Sequence, residues 1–494
     1  MFLIIDQGTT STKAMLFDLN GNKLDSCQKS FQQIFPNNGW VEHNPQEIIK
    51  TVIDCCNEII SNNLDKKICS ISITNQRETV IVWDKITGKP IYNAIVWQDR
   101  RTEEFCKKLR EKDYEDLIRE KTGLLLDPYF SSTKFSWIIE NIEGVKEGIA
   151  YDQIHAGTID TWIIWNLTKG KVFATDVTNA ARTNLFNINN LSWDDELLNL
   201  FGIKKSILAD VFDCDAYYGN SEALIKSIPI HGVIGDQQSA AIGQKAYNSG
   251  DIKSTYGTGC FVLMNTGKNF VLSKNNLLST IAYKIGGETH YALEGSIFMA
   301  GAIIDWLKNG LQLIDNFEEL ENILNNTDNN PGIVLVPAFT GLGAPHWSPN
   351  ARASISGLTR DSNRNEIILS SIQSISLQSH DLITALENDT SHLFNSSIKT
   401  IKVDGGVTEN EWFLQNLSDI CNLNIIKSYE KEATALGAAS LSAIGSGEIN
   451  DLSEFNKTSR ENSIFFPKIK NNLREKIINN WDNAVKKTLE IRID

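Results

Sequence analysis

Two short turns rich in glycine and hydroxyl side chains carry hydrogen-bond donors suited to a phosphate. The first reads DQGTTS at residues 6–11, after an apolar run, and the second reads YGTGC at residues 256–260. Each pattern predicts a strand, a tight turn and a return strand, so that backbone N–H groups and hydroxyls meet at the turn. Such a turn can bind a phosphate, and Asp6 beside the first turn can bind its magnesium ion. The chain has no GxxxxGK[ST] pattern, so it does not bind a nucleotide in the manner of a P-loop.

A single turn of this kind also suits an ordinary β-hairpin, and that alternative stays open for either copy taken alone. Two copies, one opening each half of the chain, favour a pair of related domains. The sequence identity between the copies is slight, so the repetition lies in structure more than in sequence. The pair predicts that the phosphates of a nucleotide lie between two turns facing a shared cleft.

Asp236 is the sharpest candidate for a residue that does chemistry. It follows an apolar run at residues 230–235 and precedes a predicted helix that starts at residue 239. Open α/β sheets bind ligands at the carboxyl ends of their strands, which is the position predicted for this carboxylate. The alternative is a plain helix N-cap, a role that aspartate fills well. The sequence alone leaves both interpretations open.

A second candidate is the polar segment NQRE at residues 75–78, which separates two apolar runs. Arg77 offers a fork of donors and Glu78 an acceptor, a combination that suits a small molecule with several hydroxyls. The alternative is an exposed ion pair between sequence neighbours, which would contribute little. Trp97 ends another apolar run beside charged residues. Most tryptophans pack in cores, so only its neighbours favour a functional interpretation.

Composition excludes several classes of protein. The seven histidines include no HExxH pattern, so metal binding by histidine is not expected. The eight cysteines show no CxxC spacing, which predicts reduced thiols in a cytoplasmic protein. A net charge of −14 argues against a nucleic-acid partner. No apolar stretch is long enough for a membrane span, and the apolar start of the chain is too short for a signal peptide.

Alternating strand and helix patterns predict an α/β fold. The 494 residues are too many for one hydrophobic core, so two large domains are expected, and turn residues near 246–250 divide the chain into 1–247 and 248–494. Besides the two hairpins, which end near residues 17 and 264, strands are predicted at residues 23–34, 71–74, 80–83, 230–235, 333–336 and 402–404. Helices are predicted at residues 45–60, 366–386 and 434–443, from residue 239 onward, and after a strand end within residues 292–307.

Nine separate motifs resemble the FGGY family of carbohydrate kinases over almost the whole chain. They are DQGTTS at 6–11, PxxGWVEH at 36–43, ITNQRET at 73–79, YNAIVWQ at 92–98, DPYFS at 127–131, GDQQ at 235–238, YGTGCF at 256–261, PAFTGLGAP at 337–345 and VDGG at 403–406. Lys134 and Trp137 also resemble the lysine–tryptophan signature of that family.

The resemblance implies two actin-like (ribonuclease-H-like) domains flanking an ATP-binding cleft. It further implies transfer of the γ-phosphoryl group of ATP to a terminal hydroxyl of glycerol, which gives sn-glycerol 3-phosphate. By position, the implied hydroxyl ligands are Arg77, Glu78, Tyr129, Asp236 and Gln237, and the implied apolar wall is Trp97 and Phe261. Asp236 resembles the general base of the family. Members of the family often form dimers or tetramers.

The same resemblance implies a set of nucleotide and magnesium contacts. The phosphate donors are Thr9, Thr10, Ser11 and Thr258, further nucleotide contacts are Gly301, Gly406 and Asn410, and the magnesium partners are Asp6 and Asp236. Two positions depart from the enteric bacterial members, which have arginine in place of Lys13 and glutamine in place of Asp305. A lysine keeps the charge but lacks the bidentate fork of arginine. Both positions are predicted to lie at the ATP site.

Two other functions compete with this interpretation. One is a kinase for another polyol or a ketose, against which the NQRE segment and Tyr129 argue. The other is a nucleotide-driven conformational protein like actin or the heat-shock chaperone ATPases, which would need no polyol pocket. Residues 213–228 contain neither a Gly-Gly-x-Arg pattern nor a histidine. In this segment some relatives have a glycine- and arginine-rich loop for a sugar bisphosphate, and others have a histidine that is phosphorylated. Control by a sugar bisphosphate and control by histidine phosphorylation are therefore both predicted to be absent.

Overall fold

Each half of the chain contains one large mixed sheet. The structure is a computed structural model that describes residues 1–329, 332–394, 398–456 and 463–490. The first sheet has six strands in the spatial order Tyr217–Asn220, Pro229–Gly235, Ser70–Asn75, Phe2–Gln7, Ser11–Phe17, Lys23–Ser30. The second has seven strands in the order Leu278–Ile285, Glu288–Ile297, Cys260–Gly267, Ile252–Tyr256, Thr400–Asp404, Asn424–Lys427, Ser463–Phe465.

The two sheets share a plan that brings strand ends together. In the first sheet the strands Phe2–Gln7, Ser70–Asn75 and Pro229–Gly235 run parallel to one another. In the second sheet Ile252–Tyr256 runs parallel to Thr400–Asp404. Both predicted hairpins are present, and each return strand pairs antiparallel with the strand before its turn. The carboxyl ends of the parallel strands therefore lie at one edge of each sheet, where α/β proteins bind ligands.

A smaller sheet of four strands flanks the first one. Its spatial order is Glu42–His43, Ala94–Ile95, Val80–Asp84, Ile154–Thr158. Three two-stranded sheets complete the strands of the described ranges: Phe186–Asn187 with Ser192–Trp193, Asp210–Phe212 with Ala174–Asp176, and Val334–Val336 with Ser354–Ser356. The four-stranded sheet matters for the site because its strand Ala94–Ile95 leads directly into Trp97.

Helices cover the sheets and connect their strands. In the first half they are Pro45–Asn62, Glu103–Arg110, Glu115–Thr122, Ser131–Asn141, Val145–Ala150, Ile159–Leu167, Val177–Ala180, Asp195–Phe201 and Asp236–Gly243. In the second half they are Gly301–Asp305, Phe317–Asn326, Arg364–Thr390, Glu411–Cys421, Ala433–Gly445 and Asn471–Glu490. None of the helices in the described ranges is long and apolar enough to cross a membrane.

One helix of the second half packs on the sheet of the first half. Ala433–Gly445, the predicted helix of small residues, crosses Asp236–Gly243 at very short range. A Cβ atom on Gly437 would lie 1.9 Å from the carbonyl oxygen of Ser239, so only glycine fits at this crossing. The small side chains of the helix share a core cluster with the first strand of the chain. The packing fixes the helix that begins at Asp236 against both halves.

Several predicted boundaries shift. The strand predicted at residues 23–34 ends at Ser30, because the chain then leaves the sheet and Ile34 bridges to Glu42 instead. The long helix extends beyond both predicted ends and spans Arg364–Thr390, since Asn363 and Glu366 form a capping box at its start. The helix predicted from residue 239 begins three residues earlier, and this difference bears on the site.

Candidate active site

Three parallel strands of the first sheet carry polar residues to the same edge. Asp6 lies opposite Thr74 in the register of the first pair, and Thr74 lies opposite Ile234 in the next. The strand Ser70–Asn75 is followed by Arg77, and the strand Pro229–Gly235 is followed by Asp236. The structure therefore gathers Asp6, the NQRE segment and Asp236 at one place, as their positions at strand ends predict.

A strained turn presents Arg77 and Glu78. The Thr79 N–H donates to the carbonyl oxygen of Arg77 at 2.7 Å, which closes a three-residue turn around Glu78. Glu78 adopts φ of 60°, a conformation that costs free energy for a residue with a side chain. The two side chains are only 2% and 1% exposed, so the alternative of an exposed ion pair is wrong. Backbone strain of this kind occurs where a side chain must be held in one direction.

Arg77 and Glu78 belong to a buried network of charges. The Nη1 and Nη2 atoms of Arg77 donate to the two carboxylate oxygens of Glu294, at 2.6 Å and 3.1 Å. Arg182 donates from Nε to Glu78 at 2.6 Å and from Nη2 to Glu294 at 2.9 Å. The two arginines lower the pKa of Glu294 to about 2, although burial opposes this shift. The network thus pairs two guanidinium groups with two carboxyl groups, so each buried arginine has an acidic partner.

Asp236 is the first residue of its helix and faces this network. The N-cap is Gly235, so the alternative that Asp236 is merely an N-cap is wrong. Its Oδ1 lies 3.4 Å from Nε of Arg77 and accepts a hydrogen bond of 2.6 Å from the N–H of Gln237. The side chain is 32% exposed, which leaves it accessible to a ligand. Burial raises the pKa of Asp236 to about 6, and the charge of Glu78 adds to this shift, whereas the nearby Arg77 opposes it.

Aromatic side chains bound the pocket on another side. The rings of Trp97 and Tyr129 meet edge to face with centroids 5.6 Å apart. Trp97 donates from Nε1 to Oγ1 of Thr9 at 3.0 Å, so the pocket wall is tied to the first turn. Nη2 of Arg77 donates to the hydroxyl of Tyr129 at 3.5 Å. Lys134 is buried and donates to the carbonyl oxygen of Tyr129 at 2.6 Å, which holds this segment in place.

The second sheet contributes to the same region. Lys253 is buried and donates from Nζ to Oε1 of Gln237 at 2.6 Å and to Oγ1 of Thr255 at 3.2 Å. Burial lowers the pKa of Lys253, although the carboxylates around it favour its charged form. Phe261 is half-buried and lies opposite Thr255 in the register of the second hairpin. Gln237 thus contacts the second half through Lys253, and the contact of Phe261 with a substrate stays a prediction.

The second turn forms a tight backbone cradle with the start of helix Gly301–Asp305. The N–H of Gly257 donates to the carbonyl oxygen of Gly259 at 2.9 Å, and Gly301 donates from its N–H to the carbonyl oxygen of Gly257 at 2.8 Å. A Cβ atom on Gly301 would lie 2.6 Å from that same oxygen, so this close approach requires glycine. Thr258, at the tip of the turn, is exposed. Its exposed hydroxyl, held at the tip of this fixed turn, suits a phosphate.

The carboxylates of Asp6 and Asp236 suit a magnesium ion that takes most of its other ligands from water and phosphate. Burial raises the pKa of Asp6 to about 7, and the charge of Asp236 nearby adds to the shift. Two carboxylates this close repel each other unless a proton or a cation lies with them. No group of three or more His, Cys, Asp or Glu side chains that could enclose a metal occurs within the described ranges. Magnesium needs only one or two carboxylates when a nucleotide supplies phosphate oxygens.

Comparisons with known proteins match both halves of this architecture. Residues 1–243 match the N-terminal domain of the FGGY family of carbohydrate kinases, and residues 252–446 match its C-terminal domain. The chain belongs to the FGGY family of carbohydrate kinases. The predicted α/β fold with two actin-like domains is therefore confirmed. The predicted division between residues 247 and 248 falls between the matched ranges and stays a prediction.

Individual FGGY relatives cover nearly the whole chain. A glycerol kinase of Clostridium perfringens is 46% identical over 496 residues, covering 99% of this chain and 98% of the relative. A glycerol kinase of Sinorhizobium fredii is 47% identical over 491 residues, with coverage of 99% and 98%. A crystal structure of Plasmodium falciparum glycerol kinase with ADP is 40% identical, has a TM-score of 0.94, and covers 100% of this chain and 99% of that one. A xylulose kinase of Lactobacillus acidophilus, 24% identical with a TM-score of 0.88 and coverage of 99% and 98%, shares the fold.

The remaining positions predicted for the nucleotide of this FGGY kinase are distributed around the second turn and the first hairpin. Asn410 is the N-cap of Glu411–Cys421 and accepts from the N–H of Phe413, while its buried Nδ2 has no partner among the described residues. Lys13 lies 3.5 Å from a carboxylate oxygen of Glu432, so in this structure its charge is already paired. Asp305 and Gly406, like the hydroxyl residue Thr10, are exposed. Their contacts with a nucleotide stay predictions.

Sequence reasoning missed three charged residues of this FGGY site: Arg182, Lys253 and Glu294. Lys253 follows Ile252 in its strand, Glu294 follows Ala292 and Leu293 in its strand, and Arg182 follows the short helix Val177–Ala180. A charged residue directly after apolar residues of a strand is a signal, because an unpaired buried charge is costly and implies a partner. The sequence does not tell which partner, since Arg77 and Glu294 are 217 residues apart.

Proposed function

We propose that this chain catalyses the ATP-dependent phosphorylation of glycerol to sn-glycerol 3-phosphate, the first step of glycerol catabolism. The observation that carries the proposal is the grouping of polar and aromatic side chains at this site. The Nε edge of Arg77 and the partly exposed carboxylate of Asp236 lie beside the aromatic pair Trp97 and Tyr129. Donors and acceptors paired with an apolar wall suit a short polyol, whose hydroxyls and carbon chain require both. The full-length similarity to glycerol kinases supports this acceptor over other carbohydrates.

Asp236 is proposed as the general base. Its Oδ1 is engaged by the N–H of Gln237. Its Oδ2 has no hydrogen-bond partner in the part of the chain that the structure describes, and it is free to accept the proton of a terminal hydroxyl. Arg77, Glu78, Tyr129 and Gln237 are proposed to bind the hydroxyls, with Trp97 and Phe261 against the carbon chain. A positioned base contributes typically about 100- to 10,000-fold to a rate.

The nucleotide is proposed to lie between the two turns. Thr9, Thr10 and Ser11 on one side and Thr258 on the other would donate to its phosphates, and Lys13, Gly301, Asp305, Gly406 and Asn410 would complete the site. Asp6 and Asp236 would hold magnesium, which would neutralise developing charge on the phosphoryl oxygens. Phosphoryl transfer depends on positioning and on electrostatic stabilisation, and both turns serve these ends.

A coupled assay of ADP release across a panel of polyols and sugars tests the proposal. Glycerol is expected to stimulate ADP release far more than xylulose, ribulose or gluconate. A preference for a ketose would instead support the competing function, a kinase that acts on a ketose or on another polyol. ADP release indifferent to every added alcohol would instead support a nucleotide-driven conformational protein.

We further propose that the protein works in the cytoplasm, because all eight cysteines are free and seven are buried.

The rate should depend on pH through the base. The pKa of Asp236 is raised by burial to about 6, and only the deprotonated carboxylate can accept a proton. We therefore expect kcat/KM for glycerol to be constant above neutral pH and to fall about tenfold per pH unit below pH 6. A pH–rate profile measures this, with a separate check at each pH that the protein stays folded. An acid limb near the ordinary aspartate pKa of about 4 would contradict the proposed burial of the base.

Gly301→Ala should weaken the nucleotide site selectively. The added Cβ would meet the carbonyl oxygen of Gly257 and push the second turn away from the phosphates. We expect the KM for ATP to rise about 10-fold or more, because displacements near 1 Å can cost up to about 100-fold. The KM for glycerol, measured at saturating ATP, serves as the internal control and should change much less. Equal increases in both constants would show that the substitution disturbs the fold rather than the turn.

A further inference from the structure

Glu294 is a buried carboxylate to which the proposed reaction assigns no role. It lies on strand Glu288–Ile297 of the second sheet, and its side chain is 2% exposed. It accepts three charge-assisted hydrogen bonds, two from Arg77 and one from Arg182. Both arginines belong to the first half of the chain. The carboxylate therefore crosses from one half to reach a predicted substrate ligand in the other.

The register of the second sheet explains how Glu294 reaches the site. Glu294 and Lys253 both lie opposite Leu263, on its two neighbouring strands. Residues directly opposite one another project to the same face of a sheet, so these three side chains share a face. Leu263 packs in the same core cluster as Ile234, which lies two residues before Asp236. This face of the second sheet thus belongs to the same core as the strand that leads to Asp236.

Glu294 determines which edge of Arg77 is left for the pocket. Both terminal nitrogens of Arg77 are occupied by Glu294, in the bidentate geometry that fixes a guanidinium most firmly. The Nε edge is left beside Asp236 at 3.4 Å. Without Glu294, the terminal nitrogens of Arg77 would have only Glu78 and Asp236 as neighbouring carboxylates. Arg77 would then lose the contact that holds its terminal nitrogens away from Asp236, the carboxylate proposed to accept a proton.

We propose that Glu294 is a positioning residue through which the second half of the chain orients Arg77 for the hydroxyls of the substrate. This inference rests on the proposed function. Lys253, in the same row, holds the side chain of Gln237 in a similar way at 2.6 Å. The polyol pocket is accordingly lined largely by the first half and oriented by the second. Binding of the acceptor then depends on how the two halves are placed, since a shift between them would release Arg77.

The competing explanation is that Glu294 only stabilises the fold. A buried ion pair that loses one partner leaves an uncompensated charge, which destabilises a protein whatever its function. Stability alone therefore does not separate the two explanations. Asp389 offers a matched control, because it is also a buried carboxylate of the second half. It accepts from Ser273, from the N–H of Lys274 and from Asn275, and none of these three residues belongs to the site.

Steady-state kinetics of Glu294→Gln, Glu294→Asp and Asp389→Asn in the full chain test the proposal. We expect Glu294→Gln to raise the KM for glycerol about 10- to 100-fold while the KM for ATP changes less than about threefold. Glu294→Asp should recover part of the loss, because it restores the charge. Asp389→Asn should lower the midpoint of thermal unfolding and leave the KM for glycerol unchanged.

A second variant keeps the test decisive if Glu294→Gln does not fold. Glu294→Gln combined with Arg182→Gln removes one charge of each sign and leaves Arg77 opposite Glu78; the same rise in KM for glycerol is expected. The proposal is overturned if either folded variant binds glycerol normally, or if the KM values for glycerol and ATP rise together. Failure of the proposed function would look different, because the unsubstituted protein would then release no ADP in response to glycerol.

Discussion

The Asp236→Asn variant is expected to lose about 100-fold or more of kcat while it still binds glycerol and ATP. Asparagine has nearly the shape of aspartate, so its side chain can keep the hydrogen bond from the N–H of Gln237. It cannot accept a proton from a hydroxyl. The loss should therefore appear in turnover, because the missing interaction forms only as the proton is transferred.

Equilibrium binding of glycerol, followed by calorimetry beside the kinetics, provides the control. Glycerol affinity of the variant should stay close to that of the unsubstituted protein, because Arg77 keeps its contacts with Glu294. A fall in kcat of less than about tenfold would count against Asp236 as the base. The helix start gives no alternative explanation for a large loss, since the N-cap is Gly235.

The Arg77→Ala variant should have the largest effect on substrate binding. Arg77 contacts Glu294, Gln238 and Tyr129 and lies beside Asp236, so its removal takes away the Nε donor beside Asp236 and leaves the buried carboxylate of Glu294 without this partner. We expect the KM for glycerol to rise by about 100-fold or more, and stability to fall by about 3–5 kcal/mol because the buried pair is broken.

Arg77→Lys separates the two consequences. Lysine keeps the positive charge near Glu294 but lacks the bidentate fork. Its midpoint of thermal unfolding should therefore be closer to that of the unsubstituted protein, while its KM for glycerol stays high. An unchanged KM in either variant would remove Arg77 from the pocket.

The local features of the site could be predicted from the sequence. Both hairpins, the strand that ends at Gly235 and the polar segment after Asn75 follow from short patterns of apolar and turn residues. Asp236 was recognisable because a carboxylate directly after a buried strand lies where α/β sheets bind ligands. These features depend on neighbours in the chain, which is why periodicity and turn chemistry are sufficient for them.

The contacts between the halves could not be predicted in the same way. The small residues of Ala433–Gly445 indicate close packing, but they do not tell that the helix lies on the first sheet beside Asp236–Gly243. Glu294 follows the apolar residues Ala292 and Leu293, but the sequence does not show its partners. Such pairings are set by the tertiary packing of segments that are hundreds of residues apart. The strained φ of Glu78 is likewise visible only in three dimensions.

The arrangement gives a physical reason for dividing the site between two halves. In the proposed function the first half would provide the base and most of the hydroxyl ligands, and the second half would provide the turn at Thr258 and Glu294, which contacts Arg77. Binding of the polyol and of the nucleotide would each favour the same placement of the halves. A closed placement would also keep water away from the γ-phosphate and so limit wasteful hydrolysis of ATP.

A crystal structure with glycerol and a non-hydrolysable ATP analogue tests the central claim most directly. The account predicts a terminal hydroxyl of glycerol within about 2.6–3.2 Å of a carboxylate oxygen of Asp236, with the γ-phosphorus in line behind it. A glycerol bound elsewhere, with the Asp236 carboxylate contacting only the N–H of Gln237, would contradict the account.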